Sequence, residues 1–267
     1  MAERLVIVDT QDEGVVRLSL NRPGRRNALT VPMLDELVEG IAQAGAARDT
    51  RVLVLTGCGD AFCSGMDLVE AADVGSAIAT GRRLREAMRA LGNSPLPSVA
   101  VVRGCAVAGG AGLVLACDFA LASEEATFGF PELRRGIVPA MAGALAVLRL
   151  GDRAARELML GGELIPAGRA REFGAFTEVV SAGGLDAALA ALVGRLRATA
   201  PQAAASAKSW LSRIHRATLE PLMEEALDIF TRSMSTSEAA DGLAAFRERR
   251  QPAWHPANSR VEARNAP

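Results

Sequence analysis

Three short segments concentrate the residue types that could do chemistry. The first is Phe62-Cys63-Ser64-Gly65-Met66-Asp67-Leu68. Small residues there free backbone N–H groups and let a ligand approach the main chain closely. The same string also fits an ordinary strand-to-helix turn, with Asp67 near the helix start. The second is Arg103-Gly104-Cys105-Ala106-Val107-Ala108-Gly109-Gly110-Ala111-Gly112. A glycine-rich helix start leaves N–H donors unpaired at the positive end of the helix dipole. Its glycines do not fall in the GxGxxG spacing of a dinucleotide turn, and the GK[ST] ending of a phosphate loop is missing. What remains is a set of backbone donors suited to a single developing oxyanion. Removing one such donor typically costs roughly 3–4 kcal/mol of transition-state stabilisation.

The third segment is Phe128-Gly129-Phe130-Pro131-Glu132, followed by Leu133-Arg134-Arg135-Gly136-Ile137-Val138-Pro139-Ala140. A carboxyl group partly desolvated by Phe130 and Ile137 would have its pKa raised toward a useful acid/base range. On the segment alone a plainer role fits Glu132 better: a helix-initiating residue beside Pro131, or a partner for Arg134.

Other chemistries find little material. The chain of 267 residues has 2 histidines, His215 and His255, and no tyrosine. That argues against a histidine zinc site, a Ser-His-Asp triad in the core, and phenol catalysis. Cys58, Cys63, Cys105 and Cys117 are scattered without a CxxC pair and read as reduced, packed thiols. Asp118, at a helix end, reads as structural, and Trp210 and Trp254 as packing in a helical region. A net charge of −1 gives no field to attract nucleic acid or an anionic membrane. One locally basic stretch, residues 81–89 with Arg82, Arg83, Arg85 and Arg89, reads as a solvated helix face, with RNA contact as the competing reading. The start lacks a long apolar leader, no stretch reaches a spanning length, and a cytoplasmic location is expected.

The surrounding elements must position these segments. Residues 5–8 and 15–20 read as a hairpin about Asp12-Glu13-Gly14. Thr30 caps a helix with Pro32 in its first turn, and residues 76–91 carry helical periodicity. Residues 51–56, 98–102 and 119–121 read as strands, and 109–116 as a helix. This βα alternation predicts an α/β fold with strands stacked by crossover helices. From about residue 185 the pattern is helical only: 185–198, 201–214, 219–234 and 237–249. The expected division is a core over 1–198 and a helical region over 199–267, ending in a polar tail after Pro252.

Taken together and in order, the segments resemble the crotonase (enoyl-CoA hydratase/isomerase) superfamily. The match begins at Asn21-Arg22-Pro23-Gly24-Arg25-Arg26-Asn27-Ala28-Leu29 and runs through the three segments to Asp241-Gly242-Leu243-Ala244-Ala245-Phe246 and Arg247-Glu248-Arg249-Arg250-Gln251-Pro252. The resemblance implies a spiral of stacked ββα units with a C-terminal helical region, assembled as a homotrimer or dimer of trimers. It implies an acyl-CoA thioester substrate, coenzyme A entering as part of that substrate, with no separate cofactor and no metal. The N–H groups of Met66 and Gly109 would form an oxyanion hole, with Glu132 as acid/base. Arg25, Arg26, Ala28, Ser64, Asp67, Leu68, Gly110, Gly112 and Ala140 would line the substrate site, with Arg25 or Arg26 meeting the nucleotide phosphates.

The pattern departs from the family at one consequential place. A second hydratase glutamate would fall on Gly112, which has nothing to titrate, and the position after Pro139 is Ala140 rather than the usual glycine. The Gly112 context resembles the methylglutaconyl-CoA-type hydratase branch. One glutamate suffices for isomerisation of a 3-enoyl-CoA, and for hydration if the thioester or another group holds the water. Thioester hydrolysis, decarboxylation and a catalytically silent acyl-CoA-binding relative are the competing readings.

Overall fold

The computed structural model describes residues 4–11, 14–71 and 73–253, with the side chains of 214–220 and 222 set aside. Asp12, Glu13, Trp254, His255 and the rest of the expected tail therefore lie outside the described residues, as does the His215 side chain. In chain order the elements are β1 (Val6–Gln11), β2 (Val15–Leu20), α1 (Val31–Ala46), β3 (Val52–Gly57), α2 (Val74–Asn93) and β4 (Ser98–Val102). Then come β5 (Cys105–Val107), α3 (Gly109–Ala116), β6 (Phe119–Ser123), β7 (Thr127–Gly129), α4 (Ala140–Leu150) and α5 (Asp152–Gly161). The chain continues through β8 (Leu164–Pro166), α6 (Ala167–Glu172), β9 (Glu178–Val180), α7 (Leu185–Arg197), α8 (Pro201–Met234) and α9 (Ser237–Glu248).

A six-stranded sheet runs β1-β2-β3-β4-β6-β9, and a three-stranded sheet runs β5-β7-β8. Among the described residues only the β1–β2 pair is antiparallel in the large sheet. Strands of a parallel sheet covered on both faces must be apolar on both. Accordingly, Val52, Val54, Val99 and Val101 pack toward Leu185, Leu189 and Leu192 of α7. The alternate residues Leu53, Leu55 and Ala100 join the main core. Each fully buried Leu or Val there contributes about 1.5–3 kcal/mol relative to exposure.

The two sheets make the spiral. β4 sits in the large sheet, β5 in the small one, and α3 follows; β6 and β7 repeat the pattern before α4. A bridge between Cys63 and Ala106 brings the turn after β3 into the same stack, and Ala106 in turn pairs with Phe128. Successive ββα units are thus in register, and this register carries the turn after β3 to the start of α3.

The C-terminal helices differ from the sequence expectation in one respect. The two helices expected over 201–214 and 219–234 are one helix, α8, with Pro221 inside it. An internal proline costs about 3 kcal/mol or more through its missing N–H and its clash with the preceding turn. Met223, Ala226, Phe230 and Met234 offset that by burying one stripe of the helix in the main core, where α8 packs on α2 and α4. Lys208 fixes the helix from its other end: its ammonium pairs with Asp118 at 2.6 Å and donates to the Leu96 carbonyl at 2.7 Å. Asp118 also accepts from the Ser98 N–H at 2.8 Å, the structural role expected of it. Trp210, by contrast, does not pack inside: it is 56% exposed, because it lies on the outer face of α8.

Candidate active site

The register of the spiral clamps two turns together. Leu29 N–H donates to Gly65 O at 2.8 Å and Asp67 N–H to Leu29 O at 2.9 Å. This bridge uses the groups on either side of Met66, so the Met66 N–H points away from Leu29. On the facing turn, Ala108 donates its N–H to Gly129 O at 2.9 Å and serves as N-cap of α3 with φ 54°. It has no side chain with which to cap the helix. The first N–H groups of a helix have no intrahelical acceptor, so that of Gly109 is left open at the positive end of the dipole. The turns touch: a Cβ built on Gly65 would lie 2.8 Å from Ala108 Cβ and 3.6 Å from the Gly109 nitrogen. Both Met66 and Gly109 line one cavity of about 380 Å³.

Backbone strain gathers here. Arg26, Asn27 and Ala108 have positive φ, as does Gly65 at 91°. Such conformations persist where the surroundings over-determine them. Asn27 is fully buried, and its amide donates to Cys58 O at 2.9 Å and Ala61 O at 2.7 Å. Its carbonyl oxygen accepts from the Arg22 N–H at 2.9 Å. Ser64 N–H donates to Arg26 O at 3.0 Å, tying the Arg25-Arg26 turn to the same place.

Asp67 is part of this scaffold. Burial pulls its carboxyl upward, but the N–H groups of Val69 and Glu70 and the Arg22 guanidinium outweigh it and hold the pKa below the usual carboxylate value. The Arg22 contact is 3.0 Å. An acid so committed to the ionised form is a tether, although it also borders the cavity.

Glu132 is different. It lies on a 3-10 turn, Pro131–Arg135, started by Pro131 and closed by Gly136 in the left-handed region. The residue is half-buried, yet its Oε2 is buried and has no hydrogen-bond partner. Burial pushes its pKa up to about 7, while its own backbone N–H and the charge of Arg135 pull down without prevailing. The plainer role as partner of Arg134 fails, since Arg134 points to Glu163 at 3.3 Å and Gly161 O at 3.5 Å. A carboxyl with one free oxygen, half-neutral near pH 7 and sharing a cavity with two open N–H donors, can move a proton next to a carbonyl whose oxygen those donors polarise.

Arg25, Arg26, Ala28, Ser64, Leu68 and Ala140 also line the cavity. Among the described residues neither Arg25 nor Arg26 has an ion pair, and both are exposed. Gly110 and Gly112 are not at the wall but behind it. Gly110 is small because Cys63 lies against it: a Cβ would meet Cys63 O at 2.6 Å. At Gly112 a Cβ would meet Met88 Cε at 2.1 Å and Ala142 Cβ at 3.2 Å. The volume a glutamate would use is therefore filled by Met88 from α2. Gly112→Ala must displace the free end of the flexible Met88 side chain and press on Ala142 Cβ, and alanine also favours the helix, so unfolding stability should fall by no more than about 1 kcal/mol. Met88→Ala in the same chain should recover part of that loss, making the pair non-additive by at least about 0.5 kcal/mol in denaturant unfolding. Additive effects would mean that Met88 does not occupy that space.

Other expected bystanders behave as such. Burial pushes the Cys63 thiol up to about 12 and the Cys105 thiol upward, so neither is a ready nucleophile. On the basic stretch of α2, Arg83 pairs with Asp35 and Glu86, and Arg85 with Glu224. That neutralises much of the face RNA would need. Among the described residues no helix is long and apolar enough to cross a membrane.

Sequence reasoning did not assign Arg135, Phe230 or Phe246 to the site, and all three line the cavity. Arg135 had a local signal, since i and i+3 eclipse in a 3-10 turn and it stands three after Glu132. The phenylalanines come from α8 and α9, far along the chain; Phe246 falls in the stretch that matches the family, and Phe230 had no signal.

The enoyl-CoA hydratase/isomerase family profile matches residues 10–257. The chain belongs to that family. It is 31% identical to the 2,3-dehydroadipyl-CoA hydratase of Escherichia coli over 248 residues, covering 92% of this chain and 97% of the relative. It is 32% identical to a human mitochondrial enoyl-CoA hydratase domain-containing protein 2, covering 90% and 85% of the two chains. A crystal structure of an enoyl-CoA hydratase from Mycobacterium avium superposes with a TM-score of 0.87 at 33% identity, covering 95% of this chain and all of that one. The crotonase-type spiral expected from the motifs is thus the fold of this enzyme family member.

Proposed function

We propose that this enzyme hydrates a conjugated enoyl-CoA thioester through an enolate held by the Met66 and Gly109 N–H groups, with Glu132 as its single acid/base. The observation that carries this reading is the Glu132 carboxyl, raised to about 7 with its buried Oε2 unpartnered, on the wall of the cavity those two residues line. In its ionised form Glu132 takes a proton from water as the water oxygen bonds to the β-carbon. The electron pair of the double bond moves onto the thioester oxygen, where the two donors receive the charge. Glu132 then returns the proton to the α-carbon as the carbonyl re-forms. Arg25 and Arg26 would meet the coenzyme A phosphates, charge-assisted contacts that fix the thioester end. The reading includes a cytoplasmic homotrimer or dimer of trimers, supported by the exposed apolar residues Leu160, Trp210 and Leu211.

A second reading, isomerisation of a 3-enoyl-CoA, is favoured by Met88 standing in the space above Gly112, which leaves one free carboxyl for the reaction. Short linear, branched and carboxylated 2-enoyl-CoA substrates, tested beside 3-enoyl-CoA in water enriched in heavy oxygen, separate the two. Hydration predicts loss of conjugated-thioester absorbance with heavy oxygen in the product. Gain of that absorbance from 3-enoyl-CoA, with no oxygen incorporated, would replace hydration by isomerisation.

A further inference from the structure

Arg135 is a cation in an otherwise mostly apolar wall. Leu84, Ile137, Met141, Ala142 and Phe230 surround the same cavity. The Arg135 guanidinium stacks over the Phe246 ring at 4.9 Å, and among the described residues it has no hydrogen bond and no ion pair. The other basic residues near this turn are committed or exposed: Arg134 pairs with Glu163, and Arg25 and Arg26 are exposed on the opposite turn. A half-buried guanidinium with five donors and no acceptor is a costly group. An aromatic face relieves only part of that cost. A planar anion does so fully, because the guanidinium fork matches a carboxylate in two parallel hydrogen bonds.

Resting on the reading above that the cavity takes an acyl-CoA thioester, we infer that Arg135 binds a second carboxylate at the far end of the acyl group, so that the preferred substrates are carboxyacyl-CoA thioesters. Two anions of such a substrate compete for the assignment, the terminal carboxylate and the coenzyme A phosphates. Arg135 shares its one-turn helix with Glu132, three residues away and on the same side. A group fixed there lies beside the reacting carbons. The phosphates are held off from those carbons by the whole pantetheine arm, and Arg25 and Arg26 offer them unpaired guanidiniums at the other turn. The apolar residues around Arg135 suit the methylenes between thioester and carboxylate. They also exclude the water that would otherwise screen the ion pair.

The test is calorimetric binding of saturated, unreactive ligands at pH 8: adipyl-CoA against hexanoyl-CoA, glutaryl-CoA against pentanoyl-CoA, and free coenzyme A. A charge-assisted pair in this setting is worth about tenfold to a hundredfold in Kd. The wild type is expected to favour each carboxylated ligand by at least about tenfold. Arg135→Met is expected to bring that ratio close to one, and Arg135→Lys to retain part of it. A wild-type ratio near one overturns the inference whether or not the variants fold. Weakening of free coenzyme A by Arg135→Met as strong as that of adipyl-CoA also overturns it, making Arg135 a phosphate ligand. Failure of every acyl-CoA to bind, by contrast, removes the thioester reading itself.

Discussion

Glu132→Gln is expected to lower kcat by about 10²- to 10⁴-fold, the range that a positioned proton-transfer group supplies. The amide keeps the shape of the side chain but can neither take a proton from water nor return one. Binding of a saturated acyl-CoA should change by less than about tenfold, since the N–H donors and the cavity wall remain; that limit corresponds to about 1.4 kcal/mol. Steady-state kinetics with the preferred enoyl-CoA, beside calorimetric titration with its saturated counterpart, gives both numbers. A variant retaining kcat within threefold would remove Glu132 from the chemistry. The pH profile provides an independent reading. The proposed hydration would start from the ionised carboxyl, so kcat/KM should rise with pH through about 7 in the free enzyme, and that limb should vanish in the variant.

The same substitution has a consequence for stability, of opposite benefit. The folded-state pKa of Glu132 is raised from 4.5 to about 7, chiefly by burial. Between those values the folded chain holds the proton more tightly than the unfolded chain. The contribution is therefore favourable at low pH and is lost as pH rises through the folded value. A shift of this size corresponds to about 3 kcal/mol at full ionisation, an upper figure for a half-buried residue. Glu132→Gln should accordingly match the wild type in stability below pH 4.5 and exceed it by about 1–3 kcal/mol at pH 8. Denaturant unfolding at the two pH values checks this. Equal stabilities at pH 8 would mean that the carboxyl is solvated and ordinary.

The elements that were legible in the sequence are those where local rules and tertiary packing agree. Thr30 before Val31-Pro32 marked the start of α1, and its hydroxyl does accept from the Met33 N–H at 3.4 Å. The run Ser98-Val99-Ala100-Val101-Val102, apolar after its first residue, is a strand buried on both faces, β4, and the start of α3 was visible as a glycine run soon after that strand. The small sheet was not legible. Its strands β5, β7 and β8 have three residues each, too short for a period of two to show. Residues 215–218 read as a break with Pro221 in the first turn of a new helix, a position proline tolerates, while the buried stripe from Met223 to Met234 that carries one helix through it is a tertiary effect. Of the residues that line the cavity, Met66, Gly109 and Glu132 could be named from motif order. What kept Arg135 hidden was that its meaning depends on Phe246 and Phe230, whose helices local patterning identifies but cannot place at the cavity. Gly112 illustrates the converse. The sequence showed a missing carboxylate there, and only the packing shows Met88 occupying its place.

Gly65→Ala is the second substitution expected to have a large effect, and it acts without touching any reacting group. At φ 91° Gly65 sits where an L side chain is strained, at a cost of about 1–3 kcal/mol. The added methyl would stand 2.8 Å from Ala108 Cβ and 3.1 Å from Val107 O. Neither neighbour is the loose end of a long side chain: Ala108 is itself held at φ 54°, and Val107 O is main chain. Relief must come from separation of the two turns, which carries the Met66 N–H away from that of Gly109. Losing the aim of one donor should cost about 10²- to 10³-fold in kcat, the effect of deleting an oxyanion donor. Gly174→Ala supplies the control. Its φ of 90° imposes the same backbone strain, yet the nearest atom to its new methyl is Arg149 O at 3.9 Å, and Gly174 does not line the cavity. Both variants should lose stability through φ, and only Gly65→Ala should lose kcat at temperatures where both remain folded. Comparable kcat values for the two would mean that the juxtaposition of the turns at Gly65 and Ala108 matters to the fold alone.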